Sequence, residues 1–363
     1  MQASDNPTTA VPPPPRPVSS ALRQRSRSGQ FAVFLAALLW FLCARLLSVS
    51  AANGIALRFN LDDEVSLFAG CFLLFLLICG FTLLRAMERR RAPLRLTLGL
   101  PRRKTSGEEW AIGAAIGWGI AMMAVLIMAL SRSLNVEFWI APRAFELLTL
   151  SLVTLAVTTL AWSIAIFGYG FQRLIEAAGP VRATVVIVVF AAIHAAFVPT
   201  LFGTPDGVRI LFEMLGALLL CLCWFRTHGL WLGWGLWFAW AASTGVLFGL
   251  PLAGDSSFSS VVDTRASGPA WLTGGSFGPA AAVFSILLVL AAIPILIKAT
   301  AGYAWDYTHP PIIPGGYDVT IPPPAAHVAM EQSALAAGPV NPASLVQILP
   351  VTPQSPVAGN PHE

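Results

Sequence analysis

The sequence predicts an all-α, polytopic membrane protein of about eight transmembrane helices with both termini in the cytoplasm. Three observations carry this: 56% of the 363 residues are hydrophobic and 11% charged; eight apolar stretches approach the roughly 20 residues a helix needs to cross hydrocarbon; and basic residues cluster in alternate connections. Soluble domains average about 25% charged residues, so composition excludes that class. Hydrocarbon offers a bare backbone no hydrogen bonds, so apolar runs of this length are read as helices.

Residues 1–30 include the run Pro12 to Pro15 and little that forms a core, and are expected to be disordered. The transmembrane domain is placed at 31–298. Its first span runs from Phe31 to Val49, and Arg45 within it is expected to snorkel outward. Arg16, Arg23, Arg25 and Arg27 precede it, whereas the following segment, Ser50 to Val65, carries Asp62, Asp63 and Glu64. The second span, Ser66 to Leu84, leads into a connection holding Arg85, Arg89, Arg90, Arg91, Arg95, Arg102, Arg103 and Lys104. This alternation puts the basic segments inside. A nucleic-acid patch is the other reading of such a cluster, but between two apolar spans the topology signal is preferred, and no nucleic-acid partner is expected.

The third and fourth spans, Trp110 to Leu130 and Leu147 to Ile166, are followed by Arg173 and Arg182. The fifth and sixth, Ala183 to Leu201 and Val208 to Phe225, precede Arg226; the seventh and eighth, Leu230 to Leu250 and Phe277 to Ile297, end at Lys298. Glu213 in the sixth span is costly in lipid, and Arg209 one turn earlier is its expected partner near the outer interface. The Ser- and Gly-rich segment from Ala253 to Ser276 is the longest outer connection. Cys43, Cys71, Cys79, Cys221 and Cys223 lie in apolar runs without a CxxC pair, so neither a disulfide framework nor a zinc knuckle follows. The tail, 299–363, is rich in proline and expected to be extended and solvated.

The stretch Phe167-Gly168-Tyr169-Gly170-Phe171-Gln172-Arg173-Leu174, with Gly179-Pro180 beyond it, resembles the first signature of the CPBP family of intramembrane proteases, which includes the CaaX prenyl endopeptidases. That signature reads Glu-Glu-x-x-Phe-Arg-Gly-Tyr and continues into Gln-Arg-Leu. Setting Gly168 on the family glycine puts the two glutamates at Trp162 and Ser163, the phenylalanine at Ile166 and the arginine at Phe167. The second signature, Phe-x-x-x-His, is present as Phe190-Ala191-Ala192-Ile193-His194. The third, His-x-x-x-Asn after a Leu-Trp-Leu-like helix start, falls on Trp237 and Ala241, and Ala280 stands where the family has a glutamate after Gly278-Pro279. The resemblance spans about 96–297.

The family implies an active site within the membrane where glutamate and histidine side chains activate water with a divalent metal, zinc in the family's chemistry. A catalytic zinc takes about three protein ligands. Here His194 is the one retained catalytic position, and His228 lies nine residues before Trp237, roughly 13 Å along a helix. No metal or other cofactor is therefore expected. Trp162, Phe167 and Trp237 are large and apolar, which predicts a dry, packed pocket in which His194 shares a helical face with Phe190 and bonds a hydroxyl or carbonyl. A sharper alternative pairs Ser163 with His194 as nucleophile and base. Trp231, Trp234, Trp237 and Trp240 form a stripe suited to packing neighbours or an apolar ligand.

The resulting expectation is a multi-pass protein of the plasma (inner) membrane, a non-hydrolytic pseudoprotease that binds a lipid, a lipidated peptide or a membrane protein. The alternative is an active CaaX-type endopeptidase using other residues.

Overall fold

A computed structural model describes residues 27–59, 65–87, 93–138, 144–197, 207–252, 260–303 and 325–336. Among them, seven helical segments are long and apolar enough to cross a membrane. The protein is an all-α, multi-pass membrane protein. The rest of residues 1–30, of the tail and of the segment from Ala253 lies outside the described residues.

Helices α1 (Arg27–Phe59) and α2 (Val65–Met87) pack together, and the short α3 (Leu94–Thr97) leads to α4 (Ser106–Leu130). α1 runs ten residues beyond the expected end of the first span, because Ala51, Ala52, Ala56 and Leu57 favour helix and carry it across Asn53 and Gly54 to Phe59. α5 (Ala144–Trp162) continues through a π-helical segment, Ser163–Gly170, into α6 (Phe171–Ala178), so the fourth span is one rod from Phe145 to Ala178. Gly179, with φ +86, ends it, and α7 (Pro180–Phe197) starts on the following proline. α8 (Gly207–Thr227) follows.

The seventh expected span is α9 (Trp231–Ala241) joined to a second π-helical segment, Ala242–Leu247, a shorter rod than its neighbours. Then come the short α10 (Ala270–Thr273), a 3-10 turn at Gly275–Ala281, and α11 (Val283–Ala299). The connections also hold what the apolar pattern does not announce: β1 (Leu134–Phe138) pairs antiparallel with β2 (Val262–Ala266), Leu134 opposite Ala266 and Phe138 opposite Val262. This ribbon sits after α4 and before α10, where Ser267 N–H donates to Ser133 O at 2.8 Å. The described residues fall into two units, 1–309 and 310–363. In the second, part of the tail expected to be extended is instead the helix α12 (Ala325–Ala336).

The opposite, basic end of the bundle is tied by polar contacts. Leu230 N–H donates to Gly99 O at 2.8 Å and the Trp231 indole to Pro101 O at 2.8 Å. Arg103 donates to Thr227 O, and Arg226 Nε to Thr300 Oγ1 at 2.9 Å. Between α8 and α9, His228 holds a left-handed backbone, φ +46, with its ring 5.3 Å from that of Trp224.

Burial and the Arg103 guanidinium hold the His228 imidazole below the ordinary histidine value. A depressed histidine favours the neutral form in the fold, so its stabilising contribution is complete above about pH 6.5 and is lost as pH falls below that. His228→Asn, which tolerates the same backbone without titrating, is expected to flatten this part of the slope. Thermal melts between about pH 8 and pH 5 on both proteins check it; identical slopes would refute the assignment.

Candidate functional site

The two π-helical segments lie on the rods that carry the first and third signature stretches. Such i→i+5 turns are uncommon in helices and recur at functional sites because they shift the phase of the side chains that follow. Gly168 lets the main chain after α3 close on the first of them: a Cβ there would lie 2.4 Å from Leu98 O. Trp162 and Phe167, five residues apart across its start, both face one chamber.

That chamber has a volume of about 460 Å³. Trp162, Phe167, His194, Trp237, Ala241 and Ala280 all line it. Those positions come from four different helical segments, and the structure brings them to one place. Ser163 is not among them: it is buried beside a separate void of about 10 Å³, with Phe167, Trp224 and Gly233. No hydrogen bond joins Ser163 to His194 among the described residues.

The pocket is therefore not filled as the large side chains predict. Their rings lie against the walls. Trp162 packs edge-on to Phe41 with centroids 4.9 Å apart and edge-on to His194 at 5.3 Å. Trp240 tilts against Phe212 at 5.4 Å. Gly216, Ala217, Ala191 and Ala280 then leave the centre open. The tryptophan stripe also divides. Residues three apart drift by about 60° per step around a helix of 3.6 residues per turn, so the stripe spirals. Trp231 and Trp234 donate to Pro101 O and to Ala156 O and Thr159 Oγ1, while Trp237 and Trp240 face the chamber.

His194 stacks on Phe190 at 6.4 Å, sharing its helical face, but Nε2 is buried and has no hydrogen-bond partner among the described residues, where a hydroxyl or carbonyl contact was expected. The structure also revises the two arginines. Arg45 does not snorkel outward: it lines the chamber with its guanidinium 4.8 Å over the Trp162 ring, a cation–π contact available because Arg45 lies well inside α1. Arg209 is 2% exposed, with no hydrogen-bond partner for Nε or Nη1 among the described residues, and its guanidinium lies 4.5 Å over Phe277. Glu213 lines the chamber one turn later, and no ion pair within 4.0 Å joins the two among the described residues. Intramembrane ionisable residues are functional candidates by default; that signal, rather than any motif, is what would have pointed to Arg45 as a wall of this site.

No group of three His, Cys, Asp or Glu side chains stands together among the described residues. With His194 and Glu213 as its only such members, the chamber does not present the donor set that the zinc implied by the resemblance requires. No family model, curated protein or solved structure matches the chain.

Proposed function

We propose that this protein is a non-hydrolytic binder within the membrane, a pseudoprotease on a CPBP-like helical scaffold whose former active site serves as a chamber for a lipid or lipid-modified peptide. One observation carries the reading: positions aligned with the family's catalytic residues converge on a chamber of about 460 Å³, lined mainly by apolar and aromatic side chains. Sites for small ligands commonly enclose about 300–1,000 Å³ with a few placed polar groups. Peptide hydrolysis needs a polarised water held by a base or a metal. The signature glutamates are replaced by Trp162 and Ser163, and the third-signature histidine by Trp237.

Arg103, Arg226 and Lys298 stand at the ends of α3–α4, α8 and α11 that share the basic face, which supports a cytoplasmic orientation for that end and a plasma (inner) membrane location. An active endopeptidase is the second reading, favoured by the unpartnered Nε2 of His194 on the chamber wall.

Purified full-length protein in detergent decides between them. Solvent extraction and mass spectrometry are expected to recover a bound lipid-like molecule, and a mixture of prenylated and unmodified peptides is expected to remain uncut. Cleavage that disappears in His194→Ala would overturn the pseudoprotease reading.

A further inference from the structure

We infer that the chamber selects an anionic amphiphile: a single apolar chain ending in an oxyanion, a carboxylate or phosphate, held by Arg45, His194 and Arg209. This rests on the binding role proposed above and specifies its ligand.

The polar groups gather toward one end of the chamber. Arg209 is in the first turn of α8 and His194 in the last turn of α7, at the end of the bundle to which both segments lead. Arg45 and His194 both contact the Trp162 ring, at 4.8 Å and 5.3 Å, which brings the guanidinium and the imidazole to one side of the chamber. The remaining wall is apolar, including Phe212, Trp237 and Trp240.

Three nitrogens here have bonding capacity that no group among the described residues uses, two on the Arg209 guanidinium and one on His194, which donates as the Nε2–H tautomer or the imidazolium. Arg209 Nε and Nη1 and His194 Nε2 are buried and unpartnered, and the faces of Arg45 and Arg209 rest on aromatic rings rather than on carboxylates. Leaving buried donors unsatisfied is costly, more so for a charged group. A ligand oxyanion removes that cost, and a guanidinium fork matches carboxylate and phosphate oxygens in a way a neutral headgroup does not. The first turn of α8 adds the positive end of its dipole beside Arg209. Glu213 opposes an anion, but two guanidinium groups against one carboxylate leave the chamber with a net positive charge even when His194 is neutral. The apolar wall supplies the other half of the specificity, because an ion without a chain leaves it uncovered.

The test uses the full-length protein in neutral detergent, with stearic acid brominated at mid-chain as the probe, since bromine quenches nearby tryptophans such as Trp237 and Trp240. The ionised acid is expected to quench and to bind at least about tenfold more tightly than its methyl ester, the difference one charge-assisted contact supplies. Arg209→Gln and Arg45→Gln should each shrink that preference, weakening the acid by more than the ester, and Arg209→Lys should retain part of it. Equal affinity for acid and ester in the unaltered protein overturns the anionic selection while the binding role stands. Failure of both to bind overturns the chamber as a ligand site. Sodium phosphate competing as tightly as the brominated acid would overturn the amphiphile in favour of a free anion. The acid-to-ester comparison needs no variant, so a poorly folding Arg209→Gln does not leave the proposal undecided.

Discussion

Valine at Gly113 or Gly117 is expected to prevent α4 and α9 from seating against each other, at a cost on the order of 3 kcal/mol. A Cβ at Gly113 would lie 2.0 Å from Leu232 O, and one at Gly117 would lie 2.1 Å from Leu236 O. From the other side, a Cβ at Gly235 would lie 2.2 Å from Trp110 O. Each obstacle is backbone, which cannot rotate away as a side-chain tip does. The helices approach this closely because Gly113 and Gly117 are four residues apart on one face, the spacing that lets membrane helices touch through their main chains. Between helices in lipid the hydrophobic effect supplies little net attraction, so losing this close packing removes much of what holds α9 in place. Gly119 offers a control within α4: nothing lies within 4 Å of its added Cβ, and alanine there is expected to be neutral or stabilising by up to about 1 kcal/mol. Thermal melts of the purified variants in one detergent make the comparison. A Gly117→Val protein that melts with the parent would show that the α4 and α9 backbones do not meet as described.

The same crossing shows what the sequence reveals and what it hides. The spans themselves were legible, because a chain crossing hydrocarbon has to be apolar over a fixed length. Their rotation was not: α1 and α4 are apolar on every side, so no polar stripe marks which face turns inward. That is why Arg45 looked like a residue reaching for the interface, although it faces Trp162. Order along the chain and family spacing chose Trp162, Ser163, Phe167, His194, Trp237 and Ala241, of which all but Ser163 line one chamber. They were not enough to predict the space between them. The expectation of a packed pocket counted the bulky replacements and omitted Ala191, Gly216 and Ala217, contributed by α7 and α8, which no signature marks. The ribbon of β1 and β2 was missed because each strand has five residues, with no turn signal linking partners so far apart in sequence.

Filling that space is the decisive perturbation of the chamber. Gly216 lines it from α8, and nothing lies within 4 Å of a Cβ placed there. Phenylalanine at this position is expected to enter the open volume rather than displace the backbone, and to weaken ligand binding by about ten- to a hundredfold. That range follows from the roughly 1–3 kcal/mol cost of forcing a ligand and a new ring into one packed volume. The fold should survive: an interior helical glycine is entropically unfavourable, and the ring adds dispersion contacts to a wall that had none, so the melting temperature is expected to hold or rise. Quenching by the brominated acid and the melting curve, measured on the same preparation, separate the alternatives. Lost quenching with an intact melt places the ligand in the chamber. Unchanged quenching would mean that the probe binds elsewhere, whatever Arg45 and Arg209 contribute. Because Gly216 carries no charge and touches neither arginine's role, its effect is expected on the acid and on the methyl ester alike. The arginine substitutions, by contrast, are expected to weaken the acid more than the ester, so volume and charge are distinguished by one pair of probes.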